Sequence, residues 1–126
     1  MPRFALALSC FLMMLAAPIS AHDFQKGLEA AQSGDFETAL KEWKHLAESG
    51  HSCAQNNLSL MYYNGHVALA DYIMAHMWYN LGAANGNEIG AENREIIAKE
   101  MTSEDISKAE AMATVCMNSN YEKCGY

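Results

Sequence analysis

Proline is absent after Pro18, and no stretch alternates apolar and polar residues over the length of a β-strand. The first absence leaves helices free to run unbroken; the second removes the pattern of a half-buried strand. Positive charge is scarce: eight Lys and Arg stand against fifteen Asp and Glu, a net charge of −7 over 126 residues. Such a balance cannot supply the clustered cations that displace counterions from a phosphate backbone, so nucleic acid is not an expected partner. There is no Gly-rich phosphate loop, no Cys-x-x-Cys pair and no distinctively spaced pair of carboxylates. No catalytic residue, cofactor or metal site is therefore expected. The methionines Met61, Met74, Met77, Met101, Met112 and Met117 are scattered over apolar faces, as core filling requires, and do not cluster as a soft-metal site would.

What is present begins with a leader. Arg3 gives a positive start, Phe4 to Ala17 is an almost unbroken apolar run, and Pro18-Ile19-Ser20-Ala21 ends it with a small residue. This is the layout of a secretory signal peptide over 1–21, with cleavage expected after Ala21. About 14 apolar residues fall short of the roughly 20 that span a bilayer. The expected product is a periplasmic or secreted protein without a membrane anchor. It keeps three cysteines, Cys53, Cys116 and Cys124, in a compartment where disulfides persist.

Helical periodicity covers the rest. Phe36, Leu40, Trp43 and Ala47 form one stripe, and Ala54, Leu58, Met61 and Tyr62 a second. Between Asp71 and Asn85 two stripes coexist, which predicts a helix covered on two sides in the middle of a stack. Gly34, Gly50, Gly65 and Gly86 stand where helices should stop, and Asp35, Asp71 and Thr102 where they should be capped. Six helices are expected, over about 23–32, 36–49, 51–64, 70–85, 88–100 and 103–117. Their short connections predict antiparallel neighbours.

Sliding residues 34–58 along the chain by 36 positions lays Asp35 on Asp71, Phe36 on Tyr72, Ala39 on Ala75, Trp43 on Tyr79, Ala47 on Ala83, Gly50 on Gly86 and Asn57 on Asn93. Caps, small residues and aromatics recur together, as in helical-hairpin repeats. The run "AESGHSCAQNNLSLMYYNG" followed by "ADYIMAHMWYNLGAANG" resembles a Sel1-like repeat, a relative of the tetratricopeptide repeat with a longer turn inside the hairpin. Here that turn, from Ser59 to Asp71, takes 12 residues against 8 between Gly27 and Asp35. Ser59 departs from the glycine usual at its position, from which slightly looser helix contact is expected. The resemblance implies an all-α, antiparallel helix-hairpin solenoid over 22–117, with 118–126 as a tail. It also implies a protein-interaction scaffold that binds a peptide or protein segment on its concave face.

Aligning Leu58, Ser59 and Tyr62 with the repeat's core positions leaves Cys53, Asn56, Leu60, Tyr63 and Asn64 facing the groove. Cys116 ends the last helix and Cys124 lies in the tail, spaced for a disulfide that would clamp an end liable to fray. The trio His51-Ser52-Cys53 looks reactive. On a helix, however, residues two apart point about 200 degrees apart, so His51 is badly placed as a base for Cys53. Two other readings stay open: a hydrolase-like secreted member of the superfamily, and a dimer linked through Cys53.

Overall fold

A computed structural model describes residues 18–67 and 70–125. The leader up to residue 17 lies outside the described residues. The described chain is all-helical: α1 (Pro18–Gln32), α2 (Phe36–Ala47), α3 (Ser52–Asn64), α4 (Tyr72–Ala84), α5 (Glu88–Ala98) and α6 (Ser103–Asn118). The expected caps are in place. Asp35 accepts from the Thr38 N–H at 3.1 Å, Asp71 from Met74 at 3.0 Å and Thr102 from Asp105 at 3.1 Å. Each satisfies an N–H that the first turn leaves without an intrahelical partner. Gly65 ends α3 in the left-handed region, φ 73°, with its N–H returned to the last turn, a conformation that costs a residue with a Cβ.

The first hairpin, α1 with α2, closes around Trp43. The indole is fully buried and its Nε1 donates to the Phe24 carbonyl at 3.3 Å. Gly27 makes that approach possible, because a Cβ there would overlap the indole ring. Lys26 and Glu42 add a surface ion pair at 3.0 Å, worth at most about 1 kcal/mol. α2 then packs on α3, and α3 and α4 form the most intimate pair.

α4 carries no charged side chain other than its histidine, and Met74 to Tyr79 are all buried. The expectation of a helix covered on both sides holds. The expectation that consecutive helices pair as antiparallel neighbours fails at α5 and α6, which scarcely touch each other; each packs on α4 instead. The reason lies in their surfaces. α5 buries only Gly90, Asn93 and Ile97, and α6 only Ala109, Ala113 and Cys116. A helix with one narrow stripe serves one neighbour, and both stripes are spent on α4.

The tail returns to the body as the cysteine spacing requires. Cys116 and Cys124 are disulfide-bonded with Cα atoms 4.4 Å apart, and both are fully buried. Tyr121 completes a polar junction that the sequence does not announce. Asn85 Nδ2 lies within hydrogen-bond distance of Gln55 Oε1 (3.0 Å) and Tyr121 Oη (2.9 Å), and Gln55 Nε2 donates to the Ala47 carbonyl at 2.9 Å. The end of α2, the start of α3, the end of α4 and the tail are thus joined through three side chains.

Two outcomes follow for stability. Gly27→Ala should destabilise by about 1 to 3 kcal/mol, the range for overpacking a filled contact, read as a lower urea midpoint; an unchanged midpoint would show that Trp43 can move aside. Cys116→Ser should cost about 2 to 3 kcal/mol, from the entropy of a loop this short, and should quench the Tyr121 to Asn85 contact in amide exchange.

Candidate functional site

The trio that looks reactive in sequence is structural. His51 is the N-cap of α3: its Nδ1 accepts from the Ala54 N–H at 3.1 Å, and its ring stacks on Phe24 at 5.4 Å. Cys53 is buried, at 4% exposure, and Asn87 Nδ2 lies 3.9 Å from its sulfur. Cleavage after Ala21 would take Cys10 with the leader and leave Cys53 as the odd cysteine expected from the sequence, here in a buried position.

The five residues expected to share a groove do not gather at one accessible surface. Cys53, Asn56 and Leu60 are buried, Tyr63 is half-buried and Asn64 exposed. Tyr63 is committed elsewhere. Its hydroxyl donates to Glu100 Oε2 at 2.8 Å, beyond the end of α5, and its ring stacks on Tyr72 at 5.1 Å. Burial, with the Glu100 carboxylate added to it, pushes the Tyr63 phenol up to about 12. At neutral pH the hydroxyl stays protonated and remains a donor.

Leu60 and Asn64, by contrast, line a cavity of about 220 Å³ together with Asn57 and Met61 of α3. Its far wall comes from the end of α1 (Ala31), from Phe36 and Trp43 of α2, and from His66 beyond α3. Phe36 and His66 stack face to face, centroids 3.8 Å apart and planes 13° from parallel. Among the described residues no Asp, Glu, Lys or Arg lines the cavity. Asn57 is 3% exposed, and its Oδ1 finds no hydrogen-bond partner among the described residues. A buried acceptor left unmet costs about 1 to 3 kcal/mol. The cavity is the candidate site.

Sequence reasoning found Leu60 and Asn64 and missed Asn57, Phe36 and His66. The recurrence of Asn57 at Asn93 was a signal, since a buried amide repeated with the core is unusual chemistry for pure packing. The pairing of Phe36 with His66 has no sequence signature.

Two further polar features bear on the electrostatics. His76 is buried at 3% exposure with an unpartnered Nδ1, and burial lowers its pKa, with Glu110 and Arg94 acting in opposite senses. Burial also lowers the pKa of His51. Among the described residues no three His, Cys, Asp or Glu side chains gather as a metal site, and no helix is long and apolar enough to cross a membrane. No protein-family model, curated protein or solved structure matches the chain.

The two histidines predict a pH dependence. A depressed folded-state pKa means that the unfolded chain binds protons first. The stability they contribute is therefore present above the ordinary imidazole value of 6.5 and is lost as pH falls below it. Protonating His51 also removes the lone pair that caps α3. The urea midpoint should drop between pH 7.5 and 5, and His51→Asn, which keeps a capping oxygen, should flatten part of that drop. A midpoint independent of pH in the parent protein would contradict both assignments.

Proposed function

We propose that this chain is an exported helical-hairpin repeat protein of the Sel1-like kind, without catalysis of its own, that holds a peptide or protein segment against its α3 face. The observation that carries this reading is the cavity beside Leu60 and Asn64. It pairs apolar and aromatic walls, which gain by losing water, with an amide that lacks a hydrogen-bond partner, the combination that peptide-binding surfaces use for area and for specificity. The Cys116–Cys124 disulfide is compatible with an oxidising compartment, which supports a periplasmic or secreted location.

Crosslinking of the tagged protein in the exported fraction tests the reading. Asn64→Arg places a long charged side chain at the cavity mouth on an exposed position and should abolish recovery of the crosslinked partner. Ser107→Arg, on an exposed position of α6, should leave recovery intact. Equal recovery by both variants would assign binding to another face.

A further inference from the structure

We propose that the cavity takes the indole side chain of a partner peptide, with the indole N–H donating to the Asn57 amide oxygen and the ring lying against the Phe36–His66 stack. This deepens the scaffold reading and rests on it. Size is the first argument. An apolar cavity of about 150 Å³ accommodates benzene, and the volume here, about 220 Å³, is larger in the proportion that a bicyclic ring requires.

Chemistry is the second argument. The described lining residues offer no carboxylate, ammonium or guanidinium to an inserted group, so a charged anchor would lose its hydration without compensation. An uncharged ring loses nothing comparable. The walls are themselves rings, Phe36, His66 and the buried Trp43, and aromatic groups pack on one another in offset or edge-on geometries. Phe36 and His66 already lie face to face, so an incoming ring would extend an existing stack.

The third argument selects among uncharged rings. Asn57 Oδ1 is a buried acceptor with no donor among the described residues, on a residue that lines the cavity. A phenyl ring would leave that oxygen unmet. An indole carries an N–H and no acceptor of its own, so it satisfies the amide without burying a second unmet group. Beyond the cavity, the exposed carboxylates Asp35 and Glu37 flank Phe36 in the chain. They favour basic residues on either side of the inserted tryptophan.

The test uses the exported, disulfide-intact protein labelled with nitrogen-15 and three capped tripeptides: Lys-Trp-Lys, Lys-Phe-Lys and Lys-(1-methyl-Trp)-Lys. Lys-Trp-Lys should shift the Asn57, Leu60 and Asn64 resonances and bind about five- to tenfold more tightly than either of the others, the factor one buried hydrogen bond supplies. Methylation of the ligand removes the donor without touching the protein, so the comparison does not depend on a variant that folds. Asn57→Leu, checked by circular dichroism, should bring the three affinities together. Equal affinities for the three peptides in the parent protein, shifts confined to another face, or no binding at all would overturn the proposal. The scaffold reading fails separately: a partner crosslinked in the parent and lost in Asn64→Arg would stand even with no preference for indole.

Discussion

α4 has no acidic residue, no lysine and no arginine, and so offers little of its surface to water. Its burial from Met74 to Tyr79 sets the arrangement of everything after the first hairpin. α3 covers one side, and α5 and α6 divide the rest. The contacts are close because small residues sit where axes approach: a Cβ at Gly82 would lie 3.4 Å from the Ser52 carbonyl, and one at Gly90 would lie 3.3 Å from the Tyr79 carbonyl. Burial of this apolar surface is the main favourable term. The divergence of α5 from α6 is its consequence, since neither has a second apolar stripe to give to the other.

The ends of the stack are held by different means. At the first hairpin a single large side chain, Trp43, fills the space that Gly27 leaves open. At the last, the tail is held covalently by Cys116–Cys124 and by the Tyr121 junction with Asn85 and Gln55. Polar side chains join three helix ends at that junction: the Ala47 carbonyl accepts from the Gly50 N–H and, eight residues along the chain, from Gln55 Nε2. The cavity lies beside the Trp43 core, where α1 ends, α2 begins and α3 ends, so its walls depend on the same Gly27 approach that positions the indole.

Much of the local structure was legible in the sequence, and the candidate site only in part. Asp35, Asp71 and Thr102 were identifiable as caps because a cap is decided within four residues. The Cys116–Cys124 pairing followed from spacing and a helix end. The groove assignment relied on one helix considered alone, which names none of that helix's neighbours. Tyr63 belongs with Glu100, 37 residues along the chain, and His66 with Phe36. Neither neighbour is implied by a helical wheel of α3. The capping role of His51 needed the observed Nδ1 to Ala54 geometry, because histidine is not among the favoured capping residues.

The sequence by itself determined where helices start and stop, that α4 must be covered on more than one side, and that the tail can close on the last helix. These are short-range matters, governed by 3.6-residue periodicity, caps and turn glycines. The tertiary structure alone decided that α5 and α6 both spend their stripes on α4, that Cys53, Asn56 and Leu60 are buried, and that Asn57 faces a cavity walled by Phe36 and His66. Those outcomes depend on which surfaces win when all six helices compete for the same partners. Burial energy is not directional, so a pattern of apolar residues says that a face will be covered without naming what covers it.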